Sequence, residues 1–317
     1  MSDKRRAKIA VLGSINMDLM IRSAKLPLPG ETVIAETKVE NPGGKGANQA
    51  VAAARMGAEV TMIGCVGDDS FAEELLQNLK AEGINTRYVT RKTDTTSGVA
   101  VVMVEMSGEN AILVVPGANG LVGLAELEQA RQVICESDVL LMQLEVPVET
   151  VIAAAKIARE AGVPVILDPA PAPAGFPAEL LKVDLICPNQ SETAALTGKS
   201  LTSLEDVMAA IPALVEQGPR QILVTMADQG AVLFDGEAVE IIPPFQIQAI
   251  DSTAAGDAFA AGLAVKLAEQ ATLREAAYFA SAAGAIAASG AGAQTAMPDR
   301  EQIETLITKQ VQERFHE

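Results

Sequence analysis

The sequence predicts an α/β fold, a doubly wound and mainly parallel sheet flanked by helices, with a small antiparallel β lid. Three observations predict it. Short apolar runs alternate repeatedly with segments of helical spacing, the pattern of strand-helix-strand units with right-handed crossovers. Nearly half of the 317 residues are hydrophobic (49%) but only 3% are aromatic, so the core must be built from Ala, Val, Leu, Ile and Met. Two stretches break the alternation with the period-2 pattern of exposed-face strands.

Lys8 to Leu12, ending at Gly13, reads as the first buried parallel strand; Glu59 to Val66 and Asp138 to Leu144 have the same character. Helical spacing is expected over Gly46 to Met56, Phe71 to Glu82, Val148 to Ala161, Ser203 to Gln217, Ala255 to Leu267, Leu273 to Ala288 and Arg300 to Val311. The interrupting stretches are Glu31 to Val39, and Gly98 to Met106 with Asn110 to Val115, joined by a turn at Ser107-Gly108. A helix, a strand and another helix separate them, so the lid is an excursion from the main sheet. The expectation is one domain over residues 1–317, with lid segments near 18–44 and 96–116.

Composition narrows the function. Twenty-four basic against 41 acidic residues give a formal charge of −17, which repels nucleic acid and anionic membrane surfaces at long range. A small phosphorylated ligand then needs a local site of amides, Lys and metal ions. The three cysteines, Cys65, Cys135 and Cys187, sit in apolar, strand-like runs without CxxC spacing and read as buried free thiols. The one histidine, His316, is penultimate, so a His triad or His general base is excluded and chemistry must rest on carboxylates, Lys, hydroxyls or amides. The charged start, Met1 to Arg6, is not a secretory signal, and Ala276 to Ala293 is too rich in Ala, Gly and Ser for a membrane span; cytoplasmic residence is expected.

Four segments carry candidate chemistry, the first three each with a plainer structural alternative. In Asn41-Pro-Gly-Gly-Lys-Gly-Ala-Asn-Gln49, Gly43 and Gly44 permit close ligand approach beside Lys45, Asn48 and a helix N-terminus, or the stretch is a loop and cap. In Asp251-Ser-Thr-Ala-Ala-Gly-Asp257, amides around Gly256 can receive a phosphate while Asp257 takes a proton from an attacking hydroxyl, or Asp257 merely favours a helix start. Asn189, which ends the strand from Asp184, and Glu192, one helical turn later, suit the oxygen-rich sphere of Mg²⁺ or an N-cap with an acidic first turn. Ile222-Leu-Val-Thr225, with Gly230 opening the next strand, ends in a hydroxyl at the sheet edge where open α/β sheets bind ligands. Two decoys fall away: Thr197-Gly-Lys-Ser200 lacks the first glycine of a P-loop, and the Gly290 to Gly292 stretch lacks GxGxxG spacing.

In order from Val11 to about Pro298, these segments resemble the ribokinase family of carbohydrate and nucleoside kinases. The most specific piece is Gly43-Gly-Lys-Gly-Ala-Asn-Gln-Ala-Val-Ala-Ala-Ala-Arg-Met-Gly57, supported by Leu12-Gly-Ser-Ile-Asn-Met-Asp18 and Leu28-Pro-Gly-Glu-Thr32. The resemblance implies ATP-dependent phosphorylation of ribose at its 5-hydroxyl, or of a related substrate such as 2-deoxyribose or a nucleoside. It implies that Asn16, Asp18, Gly44, Lys45, Asn48 and Glu145 bind the sugar and that Asp257 is both a sugar contact and the general base. Nucleotide contacts carry over to Asn189, Thr225, Gly230, Ala255, Gly256 and Ser281, with Glu192 organising Mg²⁺ through water. A monovalent cation, K⁺, is implied at Asp251 and at the carbonyls of Thr253, Ala287, Gly290, Gly292 and Ala296, and a homodimer through the lid. Departures from the family pattern include Ser252 for Thr, and Ala254 and Ala227, each where a Gly is common.

Overall fold

The computed structural model describes residues 5–105, 110–173 and 175–314. After β1 (Lys8–Leu12) the chain makes a first excursion, β2 (Asn16–Ser23) and β3 (Ala35–Gly43), and returns through α1 (Lys45–Arg55) to β4 (Glu59–Val66), α2 (Ser70–Ala81) and β5 (Asn85–Arg91). A second excursion, β6 (Gly98–Glu105) and β7 (Asn110–Val115), precedes α3 (Leu124–Cys135), β8 (Val139–Met142), α4 (Val148–Glu160) and β9 (Val165–Leu167). Then follow β10 (Leu185–Ile186), α5 (Gln190–Thr197), α6 (Leu204–Val215), β11 (Gln221–Thr225), β12 (Ala231–Phe234) and β13 (Val239–Ile242). Three helices end the described chain: α7 (Ala255–Ala268), α8 (Leu273–Ala288) and α9 (Arg300–Arg314).

The large sheet has nine strands in the order β13-β12-β11-β10-β9-β8-β1-β4-β5, parallel from β11 to β5, with β12 and β13 antiparallel at one edge. Strand order reverses between β8 and β1: β4 and β5 grow away on one side, β8 to β11 on the other. That switch point, at the C-terminal ends of the strands, is where doubly wound sheets open a crevice. Period-2 alternation assigns each strand residue to one of two cores. Ile9 and Val11 join the cluster containing α1, α7 and α8, whereas Ala10 and Leu12 join the one containing α3, α4 and α6. The buried residues of α7 and α8 are mostly Ala, which lets the two helices pack closely; Gly262 lies against Ala280, where even a methyl would come within 3.0 Å of its Cα.

The small sheet runs β3-β2-β6-β7. Its two hairpin pairs, β2–β3 and β6–β7, are antiparallel, while β2 and β6 pair in parallel because both excursions leave the main sheet in the same direction. The strand expected from Glu31 begins only at Ala35 and runs to Gly43, because Leu28 to Glu31 closes a turn in which the Glu31 N–H donates to the Leu28 carbonyl. The expected turn at Ser107-Gly108 and the strand end at Met106 lie outside the described residues.

One correction concerns Cys135. It is not in a strand and is not buried; it is exposed at the end of α3, whereas Cys65 and Cys187 are buried. Leu127, Ala130 and Ile134 form the buried stripe of that helix, and Cys135, about 100° further round, faces outward.

Candidate active site

Five parallel strands deliver site residues from their C-terminal ends. β1 is followed by Ser14 and Asn16, β8 by Gln143 and Glu145, β9 by Asp168, β10 by Asn189, and β11 ends on Thr225. α1 and α7 supply the rest. Their N-termini enter the crevice because glycine and alanine residues let the backbone turn there.

Gly44 caps α1 at φ 88°, and a Cβ on it would lie 2.7 Å from the Asn16 backbone N, so only glycine fits. At Gly43 the Asp18 carboxylate occupies the space a side chain would take, with Oδ2 2.0 Å from an ideal Cβ, so a larger residue there would displace Asp18. The glycine cluster therefore presses α1 against the start of the small sheet and sets Lys45 and Asn48 beside Asn16 and Asp18. Asn16 is oriented by Asn119, whose Nδ2 donates to its Oδ1 at 2.7 Å while Oδ1 of Asn119 accepts from the Ile15 N–H at 2.9 Å. Glu145 is held from two sides, by the Ser14 hydroxyl and by the Lys45 N–H at 3.2 Å.

Asp257 lies in the first turn of α7 and is 4% exposed. Its Oδ2 accepts from Asn48 Nδ2 at 2.9 Å and its Oδ1 from Gln49 Nε2 at 3.1 Å. Burial pushes its pKa up; Lys45 and the two amides oppose that, and Glu145 adds to it. Asp18 is raised to about 7, first by burial and then by repulsion from Glu145 and Asp257. Asp168 is raised to about 8, chiefly by burial, against the pull of Lys45. Burial alone would lower Lys45, but Asp257, Asp168, Glu145 and Glu192 surround it and raise its pKa, so the ammonium is permanent. The result is one fixed positive charge in a pocket of carboxylates, with Asn48 Oδ1 buried and unpaired among the described residues.

The second half of the crevice is built of backbone. Ala254 caps α7 in the left-handed region at φ 59°; the Ala255 N–H donates to the Ser252 carbonyl at 3.2 Å, which leaves the Gly256 and Asp257 amides as the first unpaired ones of the helix among the described residues. A Cβ on Gly256 would meet nothing within 4 Å, which leaves room for a ligand at the amides. Asn189 and Thr225 pair as an isolated parallel bridge, and Gly230, at φ 93°, closes the turn after β11. Ser281, on α8, has a buried Oγ without a hydrogen-bond partner among the described residues. Asn189 caps α5, and Glu192 reaches back to its N–H at 2.8 Å and its Nδ2 at 2.9 Å, so the plainer capping reading of this pair is realised. Glu192 nonetheless belongs to the site electrostatically: burial raises its pKa, and Lys45 and Asp257 both act on it.

Beside α7, the segment before it is tied to the turn after α8: the Ile250 and Asp251 N–H groups donate to the Ala288 carbonyl at 2.8 and 3.2 Å. Asp251 Oδ1 accepts from the Thr253 N–H (2.9 Å) and hydroxyl (2.6 Å), and Oδ2 from the Gly292 N–H (3.0 Å). Burial works to raise its pKa, but these bonds and the charge of Arg22 outweigh it and keep the carboxylate ionised. Gly290 abuts Ala296, whose Cβ would be 2.8 Å from a Cβ at 290. Asp251, Thr253, Gly290, Gly292 and Ala296 are thus gathered in the loops around the end of α8, where the Ala287 carbonyl accepts from the Gly290 N–H at 3.1 Å. Among the described residues no group of three or more His, Cys, Asp or Glu is placed to hold a metal ion.

Sequence reasoning missed Ser14, Asn119, Gln49, Gln143 and Asp168. Gln49 stands inside the quoted glycine-rich stretch, but nothing local distinguishes its role from that of any buried helix residue. Gln143 and Asp168 become meaningful only when β8 and β9 bring them to α1.

Fold and site together define a class, a phosphotransferase acting on a carbohydrate hydroxyl. The chain belongs to the pfkB family of carbohydrate kinases, whose model matches residues 6–300. A bifunctional ribokinase/ribose-5-phosphate isomerase A from Fructilactobacillus sanfranciscensis is 40% identical over 305 residues, 95% of this chain and 56% of that protein, so the chain spans about half the length of that relative. A ribokinase from Haemophilus influenzae is 38% identical over 297 residues, covering 94% of this chain and 97% of that one. Among solved structures, Arabidopsis thaliana ribokinase complexed with ribose and ATP aligns with a TM-score of 0.88 at 32% identity, over 95% of this chain and 99% of that chain.

Proposed function

We propose that this protein transfers the γ-phosphoryl group of ATP to the 5-hydroxyl of D-ribose, giving D-ribose 5-phosphate and ADP, with Asp257 as general base. One observation carries the reading: a buried carboxylate, gripped by Asn48 and Gln49, sits at the N-terminus of α7 between a polar pocket and the free Gly256 and Asp257 amides. The sugar lies in the polar pocket. Asn16, Asp18, the Gly44 and Lys45 backbone, Asn48 and Glu145 contact its hydroxyls, and the unpaired Asn48 Oδ1 accepts one of them. Asp257 takes the 5-hydroxyl proton as that oxygen bonds to the γ-phosphorus, and the β–γ bridging oxygen leaves with the electron pair as ADP.

The amides of Gly256 and Asp257 bind the transferring group beside Ala255, where the helix dipole favours negative charge. ATP extends from there past Asn189, Thr225, Gly230 and Ser281. Mg²⁺ bound with ATP would be reached through water by Glu192, whose two oxygens already accept amide hydrogens, and would neutralise phosphate charge. K⁺ fits the cluster of the Asp251 carboxylate with the carbonyls of Thr253, Ala287, Gly290, Gly292 and Ala296.

The whole chain acts as one domain, and the small sheet serves as its lid. Paired residues of a sheet share a face, so Asp18, Ala100 and Val114 point toward the sugar pocket, and so does the next rung, Val39, Met20, Val102 and Ile112. That apolar rung has Val39 47% and Ile112 55% exposed, an unfilled face that supports pairing with a second copy of the chain. Three unpaired cysteines and a need for ATP fit a cytoplasmic protein. Among the described residues no helix is long and apolar enough to cross a membrane.

The test is ADP release with ATP, Mg²⁺ and K⁺ across ribose, 2-deoxyribose, fructose and nucleosides. Ribose should give the highest kcat/KM. Higher kcat/KM with 2-deoxyribose would reassign the substrate, and no sugar-dependent turnover would overturn the proposal.

A further inference from the structure

Behind the Asp257 carboxylate runs a chain of polar side chains buried from solvent. Gln143 Nε2 donates to Gln49 Oε1 at 2.5 Å, and Gln49 Nε2 donates to Asp168 Oδ2 at 2.8 Å and to Asp257 Oδ1 at 3.1 Å. Gln49 and Gln143 are both 0% exposed and Asp168 is 6% exposed, so water does not substitute for any of these contacts.

The chemistry fixes which way the Gln49 amide faces. Its nitrogen carries two hydrogens and meets two carboxylates; turned over, its oxygen would face both carboxylates and its nitrogen would face the Gln143 NH₂. Gln143 therefore acts as the lock, donating to the Gln49 oxygen and holding the NH₂ toward the acids. Asn48 and Gln49 are neighbours on α1 and diverge by about 100°, yet each takes one oxygen of Asp257. Two donors on two different oxygens fix the rotation of the carboxylate plane as well as its position.

We propose that Gln49 is a positioning residue for phosphoryl transfer: oriented by Gln143 and shared between Asp168 and Asp257, it holds the plane of the Asp257 carboxylate toward the sugar hydroxyl. The inference rests on the reading of Asp257 as the base. Gln49 is closed off from the open crevice by its full burial, so its loss acts on the reacting geometry and leaves sugar binding to Asn16, Asp18, Lys45, Asn48 and Glu145. It also favours the ionised form of Asp257, together with Asn48 on the same helix. Lys45 works in the same direction, against Glu145 after β8, Asp168 after β9, Asp18 on β2 and Glu192 on α5. Removing a donor from that balance raises the Asp257 pKa.

The experiment compares Gln49→Met and Gln143→Met with the wild type and with Asp257→Asn, measuring kcat and KM for ribose and the pH dependence of kcat. Methionine keeps the length of glutamine and removes the amide. Loss of a hydrogen bond to a charged group should lower kcat of Gln49→Met roughly 10- to 100-fold, with KM for ribose changed less than about twofold and the acid limb of kcat moved to higher pH. Gln143→Met should show the same pattern with a smaller drop, because the Gln49 amide is then free to turn. Unchanged kcat and pH profile in folded Gln49→Met, or a loss confined to KM, overturns the proposal. Should Gln49→Met not fold, an unchanged kcat in Gln143→Met does the same. An active Asp257→Asn would instead remove the base assignment itself.

Discussion

The two sheets satisfy their apolar residues in opposite ways. In the large sheet, Ile9, Ala10, Val11 and Leu12 of β1 are at most 1% exposed, because helices cover both faces. In the small sheet, Ile112, Leu113, Val114 and Val115 of β7 are 49–63% exposed, with neither face fully covered. The large sheet carries its own stability and offers rigid strand ends on which Asp257 and its partners can be held. The small sheet leaves its stability to be completed by what it covers: the sugar pocket on one side and, on our reading, a second chain. Burial and exposure are thus divided between two sheets that meet where β3 leads through Gly43 and Gly44 into α1.

Breaking the rigid half should cost most. Asp257→Asn keeps one of the two amide contacts, turns its own NH₂ toward the other donor and removes the base; turnover with ribose should fall about 10²–10⁴-fold in a coupled ADP assay. A variant with near wild-type kcat would place the base elsewhere.

The next effect belongs to the lid. Ile112→Asp puts a charge on the exposed apolar rung with Val39, Met20 and Val102. Sedimentation velocity should show a dimer for the wild type and a monomer for the variant. A monomeric wild type would mean that the rung is covered only by closure over substrate.

Asp18 sharpens the comparison, since it sits on the lid but is charged by the pocket. Its carboxyl is raised from the ordinary 3.8 to about 7 by burial and by its acidic neighbours. Between those values the folded chain binds more protons than the unfolded one, so this group removes stability from the sugar-free protein as pH rises from about 4 to about 7. Asp18→Asn should therefore raise the melting temperature of the sugar-free protein near pH 8 and leave it unchanged near pH 4, while raising KM for ribose about 10-fold or more. Equal melting shifts at both pH values would contradict the pocket electrostatics described above.

The smallest effect is local. Ala254 adopts φ 59° at the turn into α7, a conformation that is strained for alanine and free for glycine. Ala254→Gly should raise the melting temperature by about 1–3 °C with kcat altered little. A lowered melting temperature would show that the turn is not under strain.

Much of this molecule could be read from the chain where local chemistry and tertiary context agree. β1, β4 and α8 have the expected bounds: two are uniformly apolar strands, and the third is opened by Thr272, which caps Glu275 reciprocally. α3 escaped because its N-cap is Gly123 and because Glu126, buried and paired with Lys92 at 2.7 Å, interrupts its apolar stripe. β2 escaped because Asn16, Asp18 and Arg22 give it the look of a loop, although those residues are polar because they face the site. Asp257 and Asn48 stood out through their glycine-rich surroundings. Gln49, Gln143 and Asp168 did not, since a buried amide or acid has no local signature and its meaning lies in the two strands and one helix that meet around it.

The most direct test of the central claim is the position of the new phosphate ester. The protein should be incubated with ribose, ATP, Mg²⁺ and K⁺ and the product examined by ³¹P and ¹³C NMR. The account predicts a phosphomonoester on C5 of ribose, formed in step with ADP. Phosphate on C1, or ATP hydrolysis with no sugar ester, would contradict it.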